Sequence, residues 1–130
     1  MVLVILLVLA LFVIQTILPN RFREPAAESN VKVALGPRDN PRPYTVIGGR
    51  AARALSNMQE ALPVFLALAL LNLIVGTAAD TSITGAWIFL LARVVYVPAY
   101  LSGIPGLRTL VWAVSLVGLA LMVAPLIDRI

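Results

Sequence analysis

Arg53, Asn57 and Glu60 stand at the spacing R-x-x-x-N-x-x-E. On a helix, positions i, i+4 and i+7 share one face, so these side chains form a single stripe carrying a cation, an amide and an anion. Such a stripe can grip a charged, hydrogen-bonding ligand. Arg93, Tyr96 and Tyr100 fall at i, i+3 and i+7 and share a face in the same way, and Arg108 follows the short run Gly103-Ile104-Pro105-Gly106. The chain has no Cys and no His, which excludes thiolate enzymes, disulfide scaffolds, His-based triads and nearly every transition-metal site. Chemistry here rests on Arg, Tyr, Asn or carboxylate side chains, or on a reactive group that the substrate brings.

The elements that must position these residues are apolar. Hydrophobic residues make up 61% of the 130 positions and charged residues 12%, far from the balance of a soluble globular chain. The apolar stretches are Val2–Leu18, Ala61–Ala79, Ile83–Leu101 interrupted by Arg93, and Leu110–Ile127. Each is about the ~20 residues that a helix needs to cross ~30 Å of hydrocarbon. The first has no basic leader and no small-residue cleavage site, so it reads as a span and not as a secretory signal. The pattern predicts an all-α membrane protein, a single four-helix bundle over 1–130. Its helices are expected at about 2–18, 46–78, 82–102 and 107–127, with a loop over about 19–45 rich in Pro and Arg. The stretch Val31–Leu35 within that loop fits either an extended segment or a short helical turn.

Charge sets the expected topology. Arg21, Arg23, Lys32, Arg38, Arg42, Arg50 and Arg53 crowd the segment between the first two spans, against Glu24, Glu28 and Asp39. The turn between the second and third spans carries Asp80 and no basic residue, whereas Arg108 lies on the side of the basic loop. By the positive-inside rule that loop is cytoplasmic and both termini are outside. A basic loop beside four spans is a topology signal and a contact for anionic lipid, so nucleic acid is not an expected partner.

By themselves the polar residues leave two readings open. Arg50 and Arg53 can snorkel to headgroups, and Tyr96 and Tyr100 can belong to an aromatic belt. Against that stand Asn57, an amide that snorkelling does not explain, and Arg93, an ionisable group inside a span, where such groups are costly and usually functional. A buried arginine needs an acid, and Glu60 is the acid at comparable depth. The sequence therefore predicts an Arg93–Glu60 pair, within one chain or across a subunit boundary. Asn72, deeper on the second helix, is expected to make an interhelical hydrogen bond.

The runs G-R-A-A-R-A-L-S-N-M-Q-E-A-L-P-V-F at Gly49–Phe65 and A-R-V-V-Y-V-P-A-Y-L-S-G-I-P-G-L-R at Ala92–Arg108 resemble the membrane-associated proteins in eicosanoid and glutathione metabolism, the MAPEG family. The resemblance implies a homotrimer of four-helix subunits with a glutathione site between neighbours on the cytoplasmic side. It implies that glutathione is the co-substrate and that Arg53, Asn57, Glu60, Tyr96 and Tyr100 bind it, with Arg108 as the residue that activates its thiol; Arg93, on the face of the two tyrosines, joins the expected binding residues. The implied activity is that of a transferase or peroxidase acting on apolar electrophiles or lipid hydroperoxides, in a bacterial inner membrane. The alternative within the same family is a non-catalytic lipid-binding or accessory membrane subunit. The chain departs from the leukotriene-synthesising members at Ala61, where those have tyrosine, and in a gap from Tyr100 to Arg108 that is one residue longer.

Overall fold

The computed structural model describes residues 1–25, 35–36, 41–78 and 80–129. The expectation for Val31–Leu35 falls almost wholly outside those residues, as does Arg38. The chain forms four helices: α1 (Val2–Arg21), α2 (Val46–Ile74), α3 (Asp80–Ser102) and α4 (Leu107–Ile127). All four are long and apolar enough to cross a membrane, and the described residues contain no strand, only an isolated bridge between Arg23 and Tyr44. At 1.5 Å per residue the 29 residues of α2 reach about 43 Å, longer than the hydrocarbon layer, so one end of α2 stands outside it.

The ends of α1 and α2 are sewn together. Thr45 is the N-cap of α2: its hydroxyl accepts from the Gly48 amide at 3.1 Å, and its own amide and hydroxyl both donate to the Phe22 carbonyl, at 3.0 and 2.8 Å. Arg23 extends the seam, donating to Asn20 Oδ1, to the Arg42 carbonyl and to Tyr44 Oη, with its guanidinium 4.0 Å from the Tyr44 ring centroid. Helix α1 runs through Pro19, which lies buried in its last turn, and stops at Arg21.

Packing is uneven among the helices. The α3–α4 pair is the most extensively packed, and α1 touches α2 and α3. The main core takes Val4 and Val8 from α1, Met58, Leu62 and Phe65 from α2, Phe89 from α3, and Leu119 and Met122 from α4. Phe65 and Phe89 stack at its centre with centroids 4.6 Å apart. Towards the end that holds the chain connections α1–α2 and α3–α4, the core thins to Ala54, Ala92, Ala99, Tyr96 and Val111. Outside it, Leu3, Leu6, Ile14 and Ile17 of α1 and Leu110 and Val117 of α4 are well exposed, as lipid-facing residues are.

The opposite end is closed by a buried polar network. Asn72 Nδ2 donates to the Leu68 and Met122 carbonyls, both at 2.9 Å, its Oδ1 accepts from Thr77 Oγ1 at 3.0 Å, and Ser82 Oγ donates to the Thr77 carbonyl at 3.0 Å. The Met122 contact is the interhelical bond expected of Asn72, and it ties the end of α2 to α4.

The α3–α4 crossing depends on two glycines. A Cβ at Gly85 would lie 2.5 Å from the Gly118 carbonyl oxygen, and one at Gly118 would lie 2.7 Å from the Gly85 carbonyl oxygen. Small residues of this kind let helix backbones approach closely in membranes, where packing rather than hydrophobic burial holds helices together. Gly118→Val is expected to push α4 off α3 and to cost about 1–3 kcal/mol or more. Thermal unfolding in detergent reads it, and a stability equal to the parent's would contradict the close crossing.

Candidate functional site

The site is assembled from the loop-side half of α2, the second half of α3 and the first turn of α4. On α2 the buried line runs Ala51, Ala54, Met58, Leu62, Phe65. Asn57 sits at the edge of that line and is half-buried, whereas Arg53 and Glu60 are exposed. On α3, Arg93 is 1% exposed and Tyr96 is buried, while Tyr100 is half-buried. Arg108, in the first turn of α4, is exposed.

These groups form a ladder. Arg93 Nη1 donates to Asn57 Oδ1 at 2.5 Å. The Arg93 guanidinium carbon lies 5.2 Å from the Phe89 ring centroid and 5.4 Å from that of Tyr96, so two aromatic faces share its charge. Tyr96 meets Tyr100 edge to face at 5.5 Å. The Arg108 guanidinium lies 5.3 Å from the Tyr100 ring centroid and 3.5 Å from its hydroxyl. A line of cations and π faces thus runs from the buried half of the bundle to its surface.

The expected Arg93–Glu60 pair is not formed within the chain. Arg93 takes Asn57 instead, and its Nε and Nη2 have no hydrogen-bond partner. Glu60, one turn beyond Asn57, forms no ion pair with Arg93 and lies near enough only for its charge to act on Arg93 through space. The spacing of Arg53, Asn57 and Glu60 does give a stripe, with Asn57 half-buried against Arg93 and its two charged members exposed.

Two cavities open beside the ladder. One, of about 340 Å³, is walled by Arg50, Arg53, Tyr100, Gly103 and Arg108 among others; the second, of about 250 Å³, by Asn57, Tyr96, Tyr100, Arg108, Thr109 and Trp112. Tyr100, Arg108 and Thr109 belong to both and stand between them. The structure therefore brings Arg53, Asn57, Tyr96, Tyr100 and Arg108 to these walls, with Arg93 behind them, and leaves Glu60 on the outer face of α2. Arg50, Thr109 and Trp112 were not among the expected site residues. Trp112 lies one turn after Arg108, an i, i+4 relation legible in the sequence; Arg50 needed the fold.

The first cavity brings three guanidinium groups together and takes no carboxylate into its wall, and Arg93 adds buried N–H groups without acceptors. That donor set fits a ligand with carboxylates, because guanidinium forks bind them bidentately and an unpaired buried donor is costly. A cavity of this size lies within the ordinary range for small-molecule sites.

The model of the MAPEG family matches residues 1–127, nearly the whole chain, and the protein belongs to that family. It is an integral membrane protein of the family's helical-bundle kind, and the family as a whole is associated with glutathione. No curated protein and no solved structure shows significant similarity to the chain.

Asn57→Ala leaves the Arg93 guanidinium without a hydrogen-bond partner inside the subunit and is expected to cost roughly 1–3 kcal/mol. Asn57→Asp keeps an acceptor at the same reach and should retain most of the stability. Unfolding of the two variants side by side distinguishes them, and equal losses would mean that Arg93 does not depend on this contact.

Proposed function

We propose that the chain is one subunit of a homotrimeric membrane enzyme that uses glutathione to attack or reduce apolar electrophiles or lipid hydroperoxides, with the basic loop in the cytoplasm of a bacterium and both termini outside. The observation that carries this reading is the convergence of Arg50, Arg53 and Arg108 on the wall of one cavity at one end of the bundle, with no carboxylate in that wall.

Glutathione presents two carboxylates, one ammonium and a thiol. Arg53 and Arg93 are suited to the carboxylates, and Asn57 and the tyrosine hydroxyls to neutral hydrogen bonds. Glu60 is suited to the ammonium in the cleft between two copies. The exposed charges of Arg53 and Glu60 support the oligomer, since ionisable groups facing lipid cost a few kcal/mol each and a neighbouring copy would cover them.

Arg108 is the residue suited to the sulfur. An ordinary thiol has a pKa near 8.5, and only the thiolate is a good nucleophile. Lowering that pKa by ~2 units requires ~2.7 kcal/mol of preferential stabilisation of the anion. A guanidinium at ~4 Å supplies ~1 kcal/mol in bulk water and ~4 kcal/mol at an effective dielectric constant near 20. The task is therefore within reach of one arginine only where water is partly excluded. Arg108 is exposed in the single subunit, so this reading requires the neighbouring copy and the bound ligand to exclude that water. The second cavity, walled by Tyr96, Tyr100 and Trp112 beside Arg108, is suited to the second substrate.

Calorimetry with glutathione and a conjugation assay on the purified protein test this reading. Arg108→Ala is expected to retain binding and to lose tenfold or more of the rate at neutral pH, about 1.4 kcal/mol of transition-state stabilisation. Full activity in that variant would remove its assigned role, and no detectable binding by the parent would remove the whole reading. Binding without turnover would favour the accessory-subunit alternative.

A further inference from the structure

Arg50 projects from the first turns of α2, fifty-one residues before the group it meets. Its Nη1 donates to the Leu101 carbonyl at 2.9 Å. That carbonyl belongs to the last turn of α3, where four C=O groups of any helix lack intrahelical partners. The local chain cannot supply the missing donor: it leaves the helix at Gly103, whose φ is +72°, and Pro105 has no N–H. A cation at this point also meets the negative end of the α3 dipole.

The fit extends beyond one hydrogen bond. A Cβ at Gly103 would lie 2.6 Å from Arg50 Cζ, Nη1 and Nη2, so the guanidinium lies against the bare backbone of the turn. Gly103 meets two demands at once, a left-handed conformation and an open face. Three residues later Gly106, at φ +81°, is the N-cap of α4, and Arg108 follows in the first turn. Among the described residues, Arg50 makes the one side-chain hydrogen bond that joins α2 to this turn.

We propose that Arg50 is a positioning residue: it clamps the α3–α4 turn to α2 and so fixes where the Arg108 guanidinium stands between the two cavities. The inference rests on the proposed role of Arg108. Arg50 also lines the larger cavity, so a direct ligand contact is the competing role, and the two predict different measurements. A contact residue changes affinity. A positioning residue changes the thiolate that Arg108 stabilises.

The test uses the full chain in detergent or nanodiscs, comparing the parent with Arg50→Met, Arg50→Lys and Gly103→Ala. Amide hydrogen exchange over residues 102–108 is expected to speed up about tenfold in Arg50→Met and Gly103→Ala, and to stay near the parent's in Arg50→Lys, which keeps a cationic donor. With glutathione bound, ultraviolet absorbance of the thiolate should show an apparent pKa raised by about one unit in Arg50→Met and Gly103→Ala, or about tenfold less thiolate at low pH. Their affinity for glutathione should change less than about threefold. Unchanged exchange in the turn overturns the clamp. An affinity loss of tenfold or more with the thiol pKa unmoved overturns it in favour of direct contact. If the parent binds no glutathione, the functional reading fails by itself and the exchange comparison alone decides the clamp. Gly103→Ala, which leaves the charge in place, carries the test should Arg50→Met not fold.

Discussion

A polar group inside a bilayer has no water to fall back on, and that constraint shapes both ends of this bundle. At one end it is fully met: every hydrogen-bonding atom of the Asn72 side chain is engaged, and Thr77 and Ser82 continue the network. At the other it is not. Arg93 holds one bond and has two nitrogens, Nε and Nη2, without partners, and Gln15, 3% exposed on α1, has an amide oxygen without a partner. Both orphans lie in the half of the helices nearest the basic loop. The two ends of the bundle therefore differ in how far the chain satisfies its own polar groups.

The same half is where the packing gives way. The stacked phenylalanines are followed by a layer of alanines around Tyr96, and small side chains leave the room that the ladder of arginine and tyrosine occupies. Rigidity comes from elsewhere: the glycine crossing of α3 on α4, the Thr45–Phe22 seam and the Arg50 clamp each fix one helix junction. The placing of the arginine and tyrosine ladder thus comes from helix ends and close backbone contact, with little help from bulky side chains around it.

Much of this was legible in the sequence, for physical reasons that differ by feature. Apolar runs of bilayer length announce spans because no other structure tolerates them, and the repeated i, i+4 and i+7 spacings announce shared faces because helices have 3.6 residues per turn. Partner choice was less legible. Charge logic sent Arg93 to Glu60, but the face of α2 that meets α3 is set by Ala54, Met58 and Leu62, and that face offers Asn57. Arg50 could not be read at all without knowing that the start of α2 lies against the end of α3. Its role depends on a carbonyl, and carbonyls leave no trace in a residue pattern.

The aromatic stack has a consequence for the membrane that holds the protein. A cell that stores energy as an ion gradient cannot afford a leak, yet this bundle carries hydrophilic groups at both of its ends. Phe65 and Phe89 lie between them, face to face at 4.6 Å, with Val8, Leu62 and Met122 packed in the same core. That apolar layer separates the arginine-lined openings from the buried Asn72 network. A charged pocket can therefore lie at one end of the bundle while its middle stays as insulating as the bilayer around it.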